Sequence, residues 1–392
     1  MNTEQHLSAL RNDINEIDSD ILVLLAKRRR IANLVAESKL NSKKAVRDLE
    51  REEAMLINLI SYGKSLGLDA HYVTQLFHVI IEDSVLHQQA LLQRHQNPDI
   101  SAPTNRVAFL GNQGSYSYLA MQKYFSRRPG KLVELGCKSF DEIITTVEKG
   151  LAEYAILPIE NTSSGSINEV YDVLQHTTLS IVGELTHPIN HCLLTATDTT
   201  LDNVDTFFGH PQVFAQCSHF LRNLPNVHIE YCDSTSSAFQ QVKKLNAPNI
   251  AAIGSAEGGK SYGLTVLEEA LANQKENHSR FIVVARKAVN VAHQIPAKTT
   301  LIMSTEQKPG ALVDVLSVLK KHDVNMCKLE SRPINGNPWE EMFYVDVEAN
   351  INAENVKVAL SELTQITPFL KVLGCYPSEN IRPVNISSTN EA

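Results

Sequence analysis

Proline is missing from the first 95 residues of this 392-residue chain, which leaves nothing to interrupt long helices there. Tryptophan occurs once, at Trp339, and the longest aliphatic stretch near the N-terminus is only Ile21 to Ala26, far short of the roughly 20 residues of a membrane span. The opening MNTEQHLSALRND also lacks the basic and apolar segments of a leader, so a cytoplasmic protein is expected. Six cysteines (Cys137, Cys192, Cys217, Cys232, Cys327, Cys375) are widely spaced without a CxxC, which excludes a disulfide framework or zinc pattern and predicts reduced core thiols. His187 and His191 have i,i+4 spacing but no HExxH glutamate, and they flank Pro188, so no metal is expected. Positive charge is not in excess either: 36 basic against 44 acidic residues give −8, which argues against a general polyanion partner while leaving room for a small anion held by local cations. The KRRR cluster at 27–30 does not mark nucleic acid, because residues 1–60 carry ten acidic and ten basic groups.

What remains is an ordinary globular composition, long enough for two or three domains. The proline-free stretch is rich in helix formers and ends at a linker, Asn97 to Asn105, containing Pro98 and Pro103. From Arg106 to about Arg286, short apolar runs (VAFLG at 107, YAILPIE at 154, TFFGH at 206, IAAIG at 250, FIVVA at 281) alternate with amphipathic stretches, the pattern of an α/β region. After Lys298 the order is strand at 299, helix 310–322, strand 325–331, a NGNP turn at 335, strand at 342, helix 353–365 and strand 371–376: a ferredoxin-like βαββαβ unit. Domains at 1–96, 105–286 and 298–378 follow, with a polar tail after Asn380 expected to lack structure.

In the first helix, Leu7, Leu10, Ile14, Ile17, Ile21, Leu24, Arg28, Ile31, Val35 and Ser38 follow alternating steps of three and four, an apolar seam with a guanidinium in it. A charge so placed needs an anion, as a structural ion-pair partner or a ligand, unless the side chain snorkels to solvent. Lys39 lies three turns further, about 16 Å along the axis and about 20° around it, so both side chains could reach one small molecule. Arg11 is about 25 Å before Arg28, too far to share that molecule on one straight helix; if both bind it, Arg11 comes from another chain. Asp48, Arg51 and Glu52 open a second helix, and Ser84 and Gln88 replace apolar residues on one face of a third.

This set, Arg11, Arg28, Lys39, Asp48, Arg51, Glu52, Ser84 and Gln88, resembles the active site of the all-helical chorismate mutases. The resemblance implies an intertwined helical dimer that rearranges chorismate to prephenate without covalent catalysis. In it Arg28 and the other chain's Arg11 hold carboxylates with help from Arg51. Lys39 and Gln88 face the ether oxygen, and Asp48 and Glu52 position the hydroxyl side.

In the α/β region, GNQGSYS (111–117) and PIENTSSGSI (158–167) each follow a strand and precede a helical stretch, as anion cradles or as ordinary caps. GSAEGGKS (254–261) satisfies the P-loop pattern, but Tyr262 and Gly263 should interrupt the helix it requires, and no strand ending in a magnesium-binding aspartate is apparent. A P-loop nucleotide-binding enzyme is therefore a minor alternative. GNQGSYS, PIENTSSGS, GHPQ (209–212) and SRF (279–281) together resemble prephenate dehydratase. That implies two α/β lobes around a cleft, like a periplasmic binding protein, and conversion of prephenate to phenylpyruvate. It assigns Ser279, where the family usually has threonine, to hydroxyl loss, Asn161 and Gln216 to polar contacts, and Arg280 to a carboxylate, with Glu160 or His210 as a possible proton relay.

In the C-terminal unit, Gly310, Ala311, Leu312 and Val313 open a helix and Glu330, Ser331, Arg332 and Pro333 end a strand. A plain dimerisation module is one reading. GALV with ESRP resembles the ACT module of prephenate dehydratases, which implies feedback inhibition by L-phenylalanine, with Trp339 a potential reporter. The composite is a multidomain bifunctional chorismate mutase/prephenate dehydratase, at least a homodimer, needing no metal or organic cofactor. A non-catalytic amino-acid-responsive regulator is the other alternative.

Overall fold

The computed structural model of the chain describes residues 3–40, 42, 44–98, 103–334 and 340–379. The expected NGNP turn, Trp339 and the tail lie outside them. The chain divides into two compact units: the helical region joined by Ala292–Ile295, and the remainder, in which the segments expected as separate second and third domains pack together.

In the helical unit, α1 (Thr3–Lys39) runs unbroken, α2 (Leu49–Ser65) starts at Asp48, whose carboxylate accepts from Arg51 N at 3.1 Å, and α3 (Ala70–Gln96) starts at Asp69, which accepts from Tyr72 N at 3.0 Å. The C-terminal end of α1 packs on α3 and buries Ala32 and Ala36, yet the predicted seam is bare: Leu7, Leu10, Ile14, Ile17, Ile21, Leu24 and Ile31 are 46–63% exposed. The seam is real in its spacing, but this chain does not cover it.

The first α/β lobe is built on β1 (Thr104–Leu110), β2 (Lys131–Cys137), β3 (Tyr154–Asn161), β4 (Gly165–Ser166), β5 (Ser180–Pro188) and, from much later in the chain, β11 (His278–Ala285). Their order is β2-β1-β3-β11-β5, with β4 paired to β3, and α4 (Tyr116–Phe125), α5 (Phe140–Glu148) and α6 (Asn168–His176) accompany them. The second lobe holds β6 (Cys192–Thr195), β7 (Thr206–Gly209), β8 (His228–Tyr231), β9 (Ile250–Gly254) and β10 (Thr265–Glu268) in the order β10-β6-β9-β7-β8, with α7 (Pro211–Gln216), α8 (Ser218–Arg222), α9 (Thr235–Leu245) and α10 (Ala256–Ser261) between them. The chain crosses between the lobes twice, through Ile189–His191 and back just before β11. Aliphatic strands bury the faces of both sheets, and Leu193, Phe207, Ala251 and Ile253 centre the second lobe.

The C-terminal sheet has the expected βαββαβ order: β12 (Ala297–Ser304), α11 (Ala311–Lys321), β13 (Met326–Pro333), β14 (Glu341–Val347), α12 (Glu354–Ile366) and β15 (Phe369–Pro377), arranged β13-β14-β12-β15 and antiparallel. It shares a core with the first lobe, where Ile302, Tyr344, Leu373 and Tyr376 meet Leu157, Tyr171 and Ile181. A side chain at Gly374 would collide with the backbone of Ile181, so glycine permits β15 to lie against β5. Four of the cysteines are buried, but Cys232 is only partly so and Cys327 is exposed on β13, contrary to the expectation that all are core thiols.

Candidate active sites

On α1 the guanidinium of Arg28 is half-buried. Its Nη1 donates to the carbonyl of Ile80 at 3.2 Å and to Ser84 Oγ, and Ser84 in turn donates to Ile80 O at 3.0 Å. Among the described residues no carboxylate is ion-paired to Arg28. The nearby Asp83 is taken instead by Arg29 at 2.9 Å, and burial makes the charged form of Arg28 less favourable than usual. A groove of about 380 Å³ lies against Arg28, Ser84, Ile80 and Leu25. Gln88, one turn beyond Ser84, is 9% exposed, and its buried Oε1 has no hydrogen-bond partner among the described residues.

Lys39 reaches back to the carbonyl of Val46 at 2.8 Å, and its charge is disfavoured by burial and then by Arg51, opposed by Asp48 and Glu52. The structure thus brings Lys39, Asp48, Arg51 and Glu52 together, and separately pairs Arg28 with Ser84. Glu52 is not free, since Arg47, which the sequence reading passed over, holds it with Nη2 at 2.5 Å. Asp48 is committed to capping α2. Arg11 is exposed near the other end of the unbroken α1, about 25 Å from Arg28 in the same chain. The segment carrying Val46 is tied down by Gln294, whose side-chain amide donates to Lys39 O at 3.2 Å and Ser42 O at 2.9 Å.

The second site lies where the chain crosses between the two α/β lobes. Ser279 on β11 stands directly opposite Asn161 on β3, and Arg280 opposite Glu160; the register then slips. Cross-strand neighbours share a face, so the two pairs point to opposite sides of the sheet. On one side, Asn161 Nδ2 donates to Ser279 Oγ at 3.0 Å and to Asn277 Oδ1 at 2.7 Å, while Gln216 Nε2 donates to Asn161 Oδ1 at 3.1 Å. All four side chains are under 9% exposed. Asn277, His191 and Tyr116 complete this cluster and were not singled out as site residues, although Tyr116 lies within GNQGSYS and Asn277 stands two residues before the SRF triplet.

On the other side, Arg280 corrects the expectation of a substrate anchor. Its guanidinium is spent on Glu160 at 3.0 Å, Glu184 at 2.8 Å and Asp346 at 2.7 Å, with Tyr376 OH at 3.0 Å. Lys298 joins Glu184 at 2.8 Å and Lys328 joins Glu160, so three cations meet three carboxylates between the first lobe and the C-terminal sheet. Burial opposes the charge of Glu160, but Lys328 and Arg280 outweigh it and hold its carboxyl below the usual range, which removes it as a proton donor. His210 caps α7 (Pro211–Gln216) by accepting from Gln212 N at 3.3 Å, and burial lowers its basicity.

The two expected cradles resolve differently. Ser115 is an ordinary cap of α4, accepting from Tyr118 N at 3.2 Å. The second is a β3–β4 turn, in which Asn161 Oδ1 accepts from Ser163 N and Ser164 N at 2.9 and 3.0 Å. In the P-loop-like run, a helix does begin at Ala256 but ends at Ser261, ahead of Tyr262 and Gly263. A Cβ at Gly258 would strike the carbonyl of Gly114, so that glycine serves contact between the lobes.

At the C-terminal sheet, Gly310 takes a left-handed φ of 84° at the start of α11, with Ala311 buried, Leu312 partly so and Val313 exposed. Glu330 and Arg332 face the first lobe: Glu330 accepts from Ser166 Oγ at 2.6 Å, and Arg332 binds Asp172 at 3.0 Å. Ser331 and Pro333 alternate to the exposed side.

Residues 10–89 match the model of chorismate mutase type II and residues 107–289 that of prephenate dehydratase. A bifunctional chorismate mutase/prephenate dehydratase of Enterobacter agglomerans is 57% identical over 383 residues, covering 98% of this chain and 99% of the relative. Among solved structures, a prephenate dehydratase from Arthrobacter aurescens in complex with L-Phe superposes with a TM-score of 0.64 at 26% identity, covering 72% of this chain and 93% of that one. A protein described as a novel type of quorum quenching acylase gives 0.62 at 30% identity, over 70% of this chain and 98% of that one. No helix among the described residues is long and apolar enough to cross a membrane. Both family models fall on the regions that carry the two polar sites, and the likeness to the bifunctional relative is nearly end to end: the chain belongs to the bifunctional chorismate mutase/prephenate dehydratase family.

Proposed function

We propose that the chain rearranges chorismate to prephenate in its helical unit and converts prephenate to phenylpyruvate between the α/β lobes, with the C-terminal sheet acting as an ACT module that binds L-phenylalanine as inhibitor. One observation carries this reading: each polar site keeps capacity the chain itself does not use. Among the described residues Arg28 has no carboxylate partner, and Ser279 Oγ accepts from Asn161 while no protein acceptor claims its hydrogen.

The rearrangement is pericyclic, so the helical site has only to orient a dianion and stabilise charge at the breaking ether bond. Arg28 takes one carboxylate and Arg11 of a second copy the other, with Arg51 nearby. Lys39 and Gln88 face the ether oxygen, while Asp48 and the Arg47–Glu52 pair bound the hydroxyl end. Two observations support an intertwined homodimer: the bare seam of α1, which exposes a larger apolar face than a monomer tolerates, and the 25 Å that separates Arg11 from Arg28.

In the second reaction the bond to the ring carboxylate breaks, its electron pair enters the ring, and the carbon–hydroxyl bond breaks with its pair leaving on oxygen. Carbon dioxide and hydroxide, neutralised by a solvent proton, depart. Ser279 donates a hydrogen bond to the departing oxygen; Asn161 and Gln216 fix it. The test is direct: purified protein given chorismate yields prephenate and then phenylpyruvate, identified chromatographically, and L-phenylalanine suppresses the second product. Untouched chorismate defeats the reading.

A further inference from the structure

The hydrogen bonds behind Ser279 have a direction that elementary chemistry fixes. Backbone amides only donate, so Asn161 presents its oxygen to Ser163 N and Ser164 N, and its nitrogen therefore faces Ser279 Oγ and the carbonyl of His278, the latter at 3.1 Å. That oxygen obliges Gln216 to approach with its nitrogen, which turns Gln216 Oε1 toward His191 Nε2 at 2.7 Å. A carbonyl oxygen only accepts, so Nε2 carries a hydrogen. Asn277 Nδ2 donates to the same oxygen at 3.3 Å.

The remaining ring nitrogen, Nδ1, lies 2.9 Å from the hydroxyl of Tyr116 at the start of α4. His191 is 1% exposed, and burial disfavours its charged form, so Nδ1 is a bare acceptor and Tyr116 is the donor. The same hydroxyl also donates toward Asn190 O at 2.9 Å, so its one hydrogen is shared between that exposed carbonyl and the buried Nδ1. Every bond in the chain Tyr116, His191, Gln216, Asn161, Ser279 thus points the same way.

We propose that Tyr116 and His191 are positioning residues of the dehydratase site: the backbone amides set the sense of the chain at Asn161, and Tyr116 and His191 hold its far end by fixing Gln216, so that Ser279 Oγ stays a firmly placed acceptor with its hydrogen left for the departing hydroxyl of the substrate. If either fails, Gln216 loses its fixed donor and is free to rotate, Asn161 loses the donor on its far side, and the placement of Ser279 loosens. This rests on the reading of Ser279 given above.

The test uses the full-length chain, with the thermal inactivation midpoint of the dehydratase as the control for folding of the α/β unit and mutase activity as the control for protein concentration. Tyr116→Phe and His191→Leu should lower dehydratase kcat about tenfold to a hundredfold, with KM for prephenate within about twofold and mutase turnover unchanged. His191→Gln, which can still offer an N–H to Gln216, should retain kcat within about threefold, a rescue that packing alone does not explain. Nitrogen-15 NMR of histidine-labelled protein, assigned with the His191 variants, should place the hydrogen on Nε2. A hydrogen on Nδ1 or on both nitrogens, or wild-type kcat in His191→Leu, overturns the proposal. Ser279→Ala separates the two levels: if it too is fully active, the Ser279 reading fails; if it is inactive while Tyr116→Phe and His191→Leu are not, only the positioning role fails.

Discussion

In the helical unit the residues expected to bind an anion border a surface that the chain leaves uncovered, with Ile14, Ile17 and Leu24 more than half exposed. In the α/β unit Asn161, Gln216 and Ser279 are less than a tenth exposed and bonded to one another. The first site is a set of cations without a lid, the second a closed polar cluster at the crossing between two lobes. An anion site can be assembled late, from a second copy, because charge acts over several ångströms. A site that must aim one hydroxyl hydrogen needs its hydrogen bonds built into one rigid framework.

The sharpest break between the two comes from Arg28→Ala. Loss of the half-buried cation should reduce mutase turnover about a thousandfold while leaving dehydratase activity intact, measured on the same preparation with chorismate and with prephenate. Equal loss of both activities in folded protein would mean that the sites are not separate.

Arg280→Ala probes the other region. It strips the shared cation from Glu184 and Asp346, which are 3% and 6% exposed, though Lys298 still serves Glu184. A destabilisation of about 3 kcal/mol follows, about a hundredfold in the unfolding equilibrium, and it should lower the midpoint of thermal inactivation of the dehydratase more than that of the mutase. Acid acts on the same cluster. The folded carboxyl of Glu160 titrates below the ordinary value near 4.3, so its contribution is complete above that pH and is lost as pH falls through the depressed value. An unchanged midpoint with a raised KM for prephenate would restore Arg280 as a substrate anchor.

Much of this was legible in the chain. The apolar runs at 107, 154, 206, 250 and 281 became β1, β3, β7, β9 and β11, and the βαββαβ order emerged as read. Strands β2, β8 and β10 escaped because they are short or half-exposed and carry no continuous apolar run; β4 and β6 escaped because they are only two and four residues long, and β5 because Gly183 and Glu184 break its apolar run. Motif adjacency misled at Arg280. Ser279 and Arg280 are neighbours in a strand, and the period of two sends them to opposite faces, a rule legible in the sequence itself. The same alternation places Glu330 and Arg332 against the first lobe and leaves Ser331 outside. What spacing could not reveal was closure: the seam of α1 reads as a buried stripe, and only the exposed side chains show that this chain does not bury it.

Mixing experiments test that missing cover with a smaller but more specific effect. Arg11→Ala and Arg28→Ala chains should each be nearly inactive as mutases. If the two arginines of one site come from different copies, a mixed dimer contains one site with both and one with neither. Random exchange of equal amounts makes half the dimers mixed, so the pool should recover about a quarter of wild-type mutase activity. No recovery after verified subunit exchange would place both arginines in one chain and remove the case for a shared site.

The mildest change bears on the closed cluster. Ser279→Thr adds one methyl to a side chain that is 8% exposed and held opposite Asn161. The hydroxyl is kept, and β-branching narrows its rotamers, which favours a fixed hydrogen-bond direction. The direction is already set in this protein by Asn161 through the backbone amides of Ser163 and Ser164. The methyl therefore has little left to organise, and dehydratase kcat should change by less than about threefold, with KM for prephenate unmoved. A rise of tenfold or more would show that the serine rotor, not the amide chain behind it, limits turnover, and the closed cluster would then be less rigid than its hydrogen bonds imply.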